Sequence, residues 1–248
     1  MADFFTPTVL ACIATALFAG VLRGATGFGS ALVMAPVLSV FLGPQTGVPL
    51  TILLGLTGSV FLFPHYRTTI QYSVVGTMAV IGLFFILPGV WLLNLIDANT
   101  MRRIIAALVF TIAGSMLVFR NFSFEAQSKA VDRIGITIAS ALGGLIMGAT
   151  GMGGLPLVTY LAGRTGTAQQ KKANILFTVG ALEIGTILIM VLANFFNIQT
   201  LILSAVLIAP FGFGLWLGEH WFRTKLSHIY QMILIVTLMA TGLFVALF

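Results

Sequence analysis

Long apolar runs alternate with short polar gaps along most of the chain. A helix needs about 20 apolar residues to cross roughly 30 Å of hydrocarbon. Runs of about that length lie at 46–63, 71–95, 101–119, 173–194, 200–218 and 228–247. The pattern therefore predicts an all-α protein, a bundle of transmembrane helices that crosses the membrane several times.

Two further apolar regions are interrupted by glycine-rich segments. Residues 7–42 contain G-A-T-G-F-G at 24–29, and residues 134–163 contain G-A-T-G-M-G at 148–153. These segments divide each region into pieces of roughly 11 to 16 residues, which are short for a full span. The pattern predicts half-helices or a re-entrant hairpin in both places.

The two interruptions belong to an internal repeat that is offset by 124 residues, half of the chain of 248. Gly20 and Gly144 match at the same offset, upstream of the glycine-rich segments. A second match lies late in each half, where G-V-W-L at 89–92 resembles G-L-W-L at 214–217. We therefore expect two copies of one unit, each with an interrupted first segment followed by three full spans.

The distribution of basic residues predicts how the two copies are oriented. We place the first membrane repeat at 1–122, a polar linker at 123–132 and the second repeat at 133–248. If each interrupted segment crosses the membrane once, the copies are parallel and the loop cations divide poorly between the two sides. If each segment enters and returns, the copies are inverted, and one side carries all loop cations except Arg102 and Arg103. The positive-inside rule favours this second arrangement, with the linker in the cytoplasm and both termini outside.

The composition supports lipid as the solvent for most of the surface. Hydrophobic residues make up 59% of the chain and charged residues 7%, against roughly 25% charged in an average domain. The net charge of +6 does not indicate a nucleic-acid partner, because the cations lie mostly between apolar runs. Cys12 is the single cysteine, and the three histidines have no metal-ligand spacing. We therefore expect no cofactor, no metal and no enzymatic activity, since no nucleotide-binding loop or catalytic signature is present.

The two interruptions are the predicted substrate site. Unwound backbone within a membrane is costly unless it is buried in protein or lines a water-filled cavity. A helix that begins after a break offers N–H groups without partners and the positive end of its dipole, which favours a small oxyanion. The alternative is that the glycines only allow helices to pack closely. The candidate residues are Arg23, Gly24, Ala25, Thr26, Gly27, Gly29 and Ser30 in the first half and Gly148, Ala149, Thr150, Gly151, Gly153 and Gly154 in the second.

Two charged side chains lie within the apolar regions. An arginine in the membrane is expensive and usually functional, so Arg23 either pairs with the anion or extends to the surface from a helix end. The second half has Met147 at the matching position. Glu183 lies inside the run 173–194 and either carries a coupling proton or makes structural hydrogen bonds. The other polar residues that either line the pathway or join helices are Thr57, Asn174 and Thr178.

The duplicated G-A-T-G-x-G, the G-x-W-L near the end of each half and the total length resemble the TauE/SafE family of sulfite and organosulfonate exporters, within the 4-toluene sulfonate uptake permease superfamily. The resemblance implies a secondary carrier of the bacterial inner membrane that exports sulfite, sulfoacetate or related organosulfonates. By this interpretation the anion binds between the two breaks and is exposed alternately to each side. The alternatives are a carrier of another small organic acid or of a cation, and, third, an intramembrane enzyme.

Overall fold

The computed structural model describes residues 7–118 and 129–222, and they form helices joined by short connections. The predicted all-α class is confirmed, and each predicted apolar run within these residues forms a helix. The predicted run 228–247 and linker residues 123–128 lie outside the described residues. The helices of the first half are α1 (Pro7–Thr26), α2 (Ser30–Leu42), α3 (Pro44–Tyr66), α4 (Tyr72–Leu95) and α5 (Ala98–Val118), with a 3₁₀ turn at Arg67–Thr69. Those of the second half are α6 (Lys129–Thr150), α7 (Gly154–Gly163), α8 (Ala168–Leu192) and α9 (Ile198–Phe222).

Several helices have the length and the surface of membrane spans. In the described ranges, six are long and apolar enough to cross a membrane, namely α1, α3, α4, α6, α8 and α9. Large apolar side chains are exposed on these helices, for example Phe84 at 72% and Leu188 at 61%. An exposed apolar surface of this kind is unfavourable in water, and it is the lipid-facing surface of a multi-pass membrane protein. A large apolar core with residues from both halves holds the described helices together.

The helices that precede the two breaks are longer than the sequence pattern predicts. α1 has 20 residues and α6 has 22, so the prediction of short pieces is wrong for both of these arms. The reason is that Gly24, Ala25 and Thr26 form the last turn of α1 and do not interrupt it. A glycine within a helix costs only about 1 kcal/mol, which close packing can offset. The arms after the breaks are short, as expected, with 13 residues in α2 and 10 in α7.

Glycines let two pairs of helices touch through their backbones. A Cβ atom placed on Gly24 of α1 would overlap the carbonyl oxygen of Leu215 in α9. The second half repeats this arrangement, because Gly148 of α6 lies against the carbonyl oxygen of Ile86 in α4. The packing role that the sequence left open is therefore present at both glycines.

The same contacts identify the equivalent residues of α4 and α9. Ile86 of α4 and Leu215 of α9 occupy matching places, 129 positions apart. At this offset Gly89 is equivalent to Gly218, and each of them lies against the backbone of the neighbouring helix. The G-x-W-L match pairs Gly89 with Gly214, at an offset of 125. That match is therefore wrong as a guide to the equivalent positions.

Contacts between helices also give their relative directions. Gly55 of α3 faces Glu183 of α8, and Ser59 faces Gly180. Because the numbers rise along α3 as they fall along α8, these two helices run antiparallel. Four other pairs of helices run parallel, because the residue numbers at their contacts rise along both helices together. These pairs are α1 with α9, α3 with α9, α4 with α6, and α4 with α8. Helices α1, α3 and α9 therefore run in one direction, and α4, α6 and α8 run in the other.

The second break is the tip of a helical hairpin, because α7 turns back along α6. Gly143 of α6 faces Leu157 of α7. Nearer the start of α6, the two carboxylate oxygens of Asp132 lie 2.7 and 3.0 Å from Nη1 of Arg164, just after α7. The hydroxyl of Tyr160 donates to the backbone carbonyl of Asp132 at 2.9 Å. These contacts fix α7 against the helix that precedes it.

Candidate functional site

Each break ends a helix with the same backbone arrangement. Gly27 follows α1 with a φ of 82°, and Gly151 follows α6 with a φ of 74°. The N–H of Gly27 donates to the carbonyl of Arg23 at 2.7 Å, and that of Gly151 donates to the carbonyl of Met147 at 2.9 Å. Glycine is favoured at both positions because any other side chain would be strained in this left-handed conformation.

The threonine of each motif holds its own break in shape. The hydroxyl of Thr26 donates to the carbonyl of Leu22 at 2.8 Å and accepts from the N–H of Phe28 at 3.0 Å. The hydroxyl of Thr150 makes the equivalent bonds, to the carbonyl of Ile146 at 2.8 Å and from the N–H of Met152 at 3.3 Å. The hydroxyl protons that the sequence assigned to an anion therefore donate to backbone carbonyls in this structure.

Arg23 lies in the last turns of α1, 1% exposed, and its guanidinium is bound by three side chains. Nη2 lies 3.0 and 3.1 Å from the two carboxylate oxygens of Glu183 on α8, which is 3% exposed. The same nitrogen donates to the hydroxyl of Ser59 at 2.6 Å, and Nη1 donates to that of Ser30 at 3.2 Å. Ser59 in turn donates to Glu183 at 2.7 Å. The remaining donor, Nε of Arg23, is buried and makes no hydrogen bond.

A small cavity lies beside this ion pair, and both breaks contribute to its wall. Gly29 comes from the first break and Gly151 from the second. Arg23, Met147 and Glu183 also line the cavity. The cavity has a volume of about 20 Å³. A water molecule needs roughly 10–15 Å³ by this measure. The cavity therefore has room for one water molecule and is too small for an oxyanion with four or more heavy atoms.

The comparison with protein families is decisive on the class of protein. The family model described as "Sulfite exporter TauE/SafE" matches residues 12–245. The chain belongs to this family. The resemblance found in the sequence motifs is thus confirmed, and the protein is a membrane protein of a transporter family. No significant match is found among curated proteins or among solved structures.

In this TauE/SafE protein, only part of the predicted site lies at the cavity. Arg23, Gly29, Gly151, Gly154 and Glu183 line it. Of the others, Ser30 accepts a hydrogen bond from the guanidinium of Arg23, and the rest make contacts with neighbouring parts of the fold. Gly24 and Ala25 pack against α9, Gly148 and Ala149 pack against α4, Gly153 lies against the carbonyl of Gly143, and Gly27 lies against the side chain of Lys172.

The remaining predicted polar residues lie outside the cavity wall. The hydroxyl of Thr57 donates to the carbonyl of Leu53, one turn earlier in the same helix, at 3.0 Å. The amide of Asn174 binds Gln71, accepting from its backbone N–H and donating to its side chain, both at 2.9 Å. The hydroxyl of Thr178 is buried and makes no hydrogen bond. Asn174 is thus a partner between helices, as the alternative interpretation had it.

Sequence reasoning missed a second ion pair, which lies at the first break. Nζ of Lys172 is 3.2 Å from the carboxylate of Glu219, 3.3 Å from the carbonyl oxygen of Gly24 and 4.8 Å from the centre of the Tyr66 ring. The cation thus lies at the negative end of α1. The sequence interpretation counted Lys172 as a loop cation. The repeat offered one signal for its position. Lys172 lies 124 positions after Val48, and Val48 faces the second break at Gly151.

Proposed function

We propose that this protein is a secondary transporter that exports a small sulfur-containing oxyanion, such as sulfite, sulfoacetate or a related organosulfonate. The observation that carries the proposal is the buried guanidinium of Arg23 at a cavity that both breaks line. The membership in a family of sulfite exporters supports the same class of substrate. The anion binds at Arg23, between the two breaks.

The chemistry of the cavity wall suits an oxyanion. A guanidinium presents a planar set of donors that matches two oxygens of a sulfonate, sulfite or carboxylate. Nε of Arg23 lies beside Gly58 of α3 and makes no hydrogen bond, so a movement of α3 would free this donor for a ligand. Gly29 and Gly154, which line the cavity, lie at the starts of α2 and α7. The first N–H groups of these helices lack intrahelical partners and offer positive charge to the same ligand.

The helix directions support inverted repeats. The first helix of each half is α1 or α6, and these two run in opposite directions. The same is true of the equivalent pairs α3 with α8 and α4 with α9. We therefore keep the two repeats at 1–122 and 133–248 with a linker at 123–132, although α6 already begins at Lys129. Transporters built from inverted repeats commonly bind their substrate between broken helices of the two copies.

Alternating access follows from the size of the cavity. Because an oxyanion does not fit into about 20 Å³, the helices around the cavity have to separate on one side before the anion can enter. The pseudo-symmetric arrangement provides an equivalent opening on the other side. Export of an anion is favoured by an inside-negative potential, by about 2.3 kcal/mol per charge per 100 mV. We place the protein in the bacterial inner membrane, with the linker in the cytoplasm and both termini outside.

The test of substrate class is titration calorimetry on the purified protein with sulfite, sulfoacetate, taurine, sulfate, acetate and divalent cations. We expect binding of sulfite or sulfoacetate, and its loss in the double variant Arg23→Gln/Glu183→Gln, which removes both buried charges together and so leaves neither unpaired. The matched control Arg103→Gln changes an exposed arginine and should bind normally. Binding of acetate alone would point to a carrier of carboxylic acids. Binding of divalent cations alone would overturn the anion site.

Cysteine labelling tests the orientation of the copies. In a Cys12→Ala background, single cysteines replace Lys171 at the start of α8 and Arg103 near the start of α5. Inverted copies place these two positions on opposite sides of the membrane, so an impermeant thiol reagent added to intact cells should label one and not the other. Labelling of both from the same side would contradict the inverted arrangement.

A further inference from the structure

The contacts of Glu183 suggest a role beyond binding. We propose that the Glu183 carboxylate occupies the anion's place on Arg23 when the site is empty, and that anion binding displaces it and adds one proton to it. The protein then carries one proton together with each anion. This inference rests on the proposed function, because it assumes that the anion binds at Arg23.

The Glu183 carboxylate binds the Arg23 guanidinium as a bound oxyanion would. Glu183 reaches Arg23 from another helix, 160 positions away, and places both carboxylate oxygens within 3.1 Å of Nη2. Both side chains are almost fully buried. A carboxylate and a sulfonate or sulfite oxyanion offer the same kind of acceptor to a guanidinium. The internal carboxylate therefore competes with an incoming anion for the same donors.

The charge balance then requires a proton. In the empty site, one buried cation faces one buried carboxylate, and the pair is neutral. When an anion binds Arg23, an ionised Glu183 would leave two or more negative charges beside one guanidinium in a site shielded from water, which is strongly unfavourable. Protonation of the carboxylate removes this excess charge, with the proton supplied by the buffered bulk solution through the water that fills the open site. The neutral carboxyl group can then donate its proton in a hydrogen bond, to the anion or to Ser59.

Within the described ranges, Arg23 is the one charged side chain that faces Glu183, so no other group could accept the proton in its place. α3 faces it with Gly55 and the hydroxyl of Ser59. α4 packs against the neighbouring turns of α8 through Leu83 and Ile86, and α4 contains no charged residue. α1 contributes Arg23, and α2 contributes Ser30 only through its hydrogen bond to Arg23. α6 and α7 face the same cavity with Met147 and Gly154 and add no charged residue to its wall. Glu183 is therefore the side chain that gains or loses the proton in this site.

Protonation of Glu183 keeps the charge of both crossing states within one unit of neutral. The empty carrier crosses with a neutral ion pair, so it can return without a bound substrate. The loaded carrier crosses with Arg23, the anion and a protonated Glu183. For a monoanion that set is neutral, and for a dianion it carries one net negative charge, which an inside-negative potential drives outward.

The experiment is calorimetry with sulfoacetate in phosphate and in Tris, two buffers that differ in ionisation enthalpy. The acid groups of sulfoacetate stay ionised near neutral pH, so any change in the number of bound protons on binding occurs on groups of the protein. We expect uptake of about one proton per anion by the wild type, as the difference in protonation between free and bound states requires. The Glu183→Gln variant should bind with no proton uptake and with higher affinity, because its amide competes less well for Arg23. The matched control is Glu219→Gln, which removes the carboxylate of the ion pair with Lys172 and should retain the uptake.

Two outcomes would overturn the inference. One is binding by the wild type without proton uptake, and the other is unchanged uptake in Glu183→Gln. The wild type alone gives a further reading that does not depend on folding of a variant: its dissociation constant should rise by about tenfold per pH unit over the range in which the proton is taken up. A dissociation constant that does not change with pH would also overturn it. Failure of sulfoacetate, sulfite and sulfate to bind at all would overturn the proposed function itself and with it this inference.

Discussion

The two breaks have the same backbone and different surroundings. Gly27 and Gly151 end their helices with similar positive φ angles, and Thr26 and Thr150 make equivalent hydrogen bonds. Around the first break and its neighbouring helices lie charged side chains, whereas the equivalent positions of the other half are apolar or carry a hydroxyl. The pairs at matching positions are Arg23 and Met147, Lys172 and Val48, Glu183 and Ser59, at an offset of 124, and Glu219 and Val90, at an offset of 129.

This difference separates the scaffold from the binding chemistry. The features that both halves share are the ones that form breaks and let helices pack, and they produce a cavity between the copies. The features that differ are the charges, and they provide one cation and one carboxylate at that cavity. A symmetric pair of cationic breaks would place two buried guanidinium groups close together, which is unfavourable without two anions. The asymmetry therefore matches the binding of a single anion.

The largest expected effect comes from giving the first break the side chain of the second. Arg23→Met should abolish anion binding and lower the free energy of unfolding by about 3–5 kcal/mol, because Glu183 is left as an unpaired buried charge. The double variant Arg23→Met/Glu183→Ser should recover most of the stability and still not bind. Thermal unfolding and sulfoacetate calorimetry on both variants check this. Normal anion binding by either variant would show that Arg23 does not bind the anion.

A smaller and symmetric effect is expected from the packing glycines. Gly24→Ala and Gly148→Ala each place a methyl group onto a backbone carbonyl of the neighbouring helix, and overpacking of this kind costs about 1–3 kcal/mol. Because both halves use the same contact, the two losses in thermal stability should be similar. Gly76→Ala is the control, since a Cβ there meets no atom within 4 Å. A loss of stability in only one of the two variants would show that the contact of α1 with α9 and that of α4 with α6 are not equivalent.

The sequence predicted the repeated elements well, because they are local. Apolar runs gave the helices, and the duplicated glycine segments gave the positions of the breaks. The contact of Arg23 with Glu183 joins residues 160 positions apart, and apolar periodicity does not specify such a contact. The same glycine segment also has two roles, since Gly24 packs a helix whereas Gly27 ends it. Spacing alone did not separate these roles, so the predicted site included residues that lie outside the cavity wall in this structure.

The second ion pair should contribute less than the first. Lys172→Met leaves Glu219 with its Tyr66 contact at 3.1 Å but without its cation, and we expect a loss of about 1–2 kcal/mol in stability. The neighbouring Lys171 is the matched control, because its ammonium group is at the surface and donates to the carbonyl of Ala162 at 2.8 Å. Lys171→Met should change the melting temperature little. Equal shifts for the two variants would mean that the ion pair at the first break does not stabilise it.

The smallest effect is expected from the two threonines. Thr26→Val and Thr150→Val each remove a hydroxyl that bonds the backbone at the end of a helix, and a typical hydrogen bond contributes about 0.5–1.5 kcal/mol. Both variants should lose similar stability and keep the affinity for sulfoacetate, because their hydroxyls donate to carbonyls. Measured melting temperatures and dissociation constants decide this. A large loss of affinity in either one would assign that hydroxyl to the anion.

Locating the anion in the protein shows most directly whether it binds at Arg23. Selenite is a heavier analogue of sulfite, and the anomalous scattering of its selenium marks its position in crystals of the protein. We expect a single strong peak within hydrogen-bond distance of the Arg23 guanidinium, between Gly29 and Gly151, with Glu183 moved away from Arg23. A peak elsewhere, with the Arg23–Glu183 pair intact in a protein saturated with selenite, would contradict binding at Arg23.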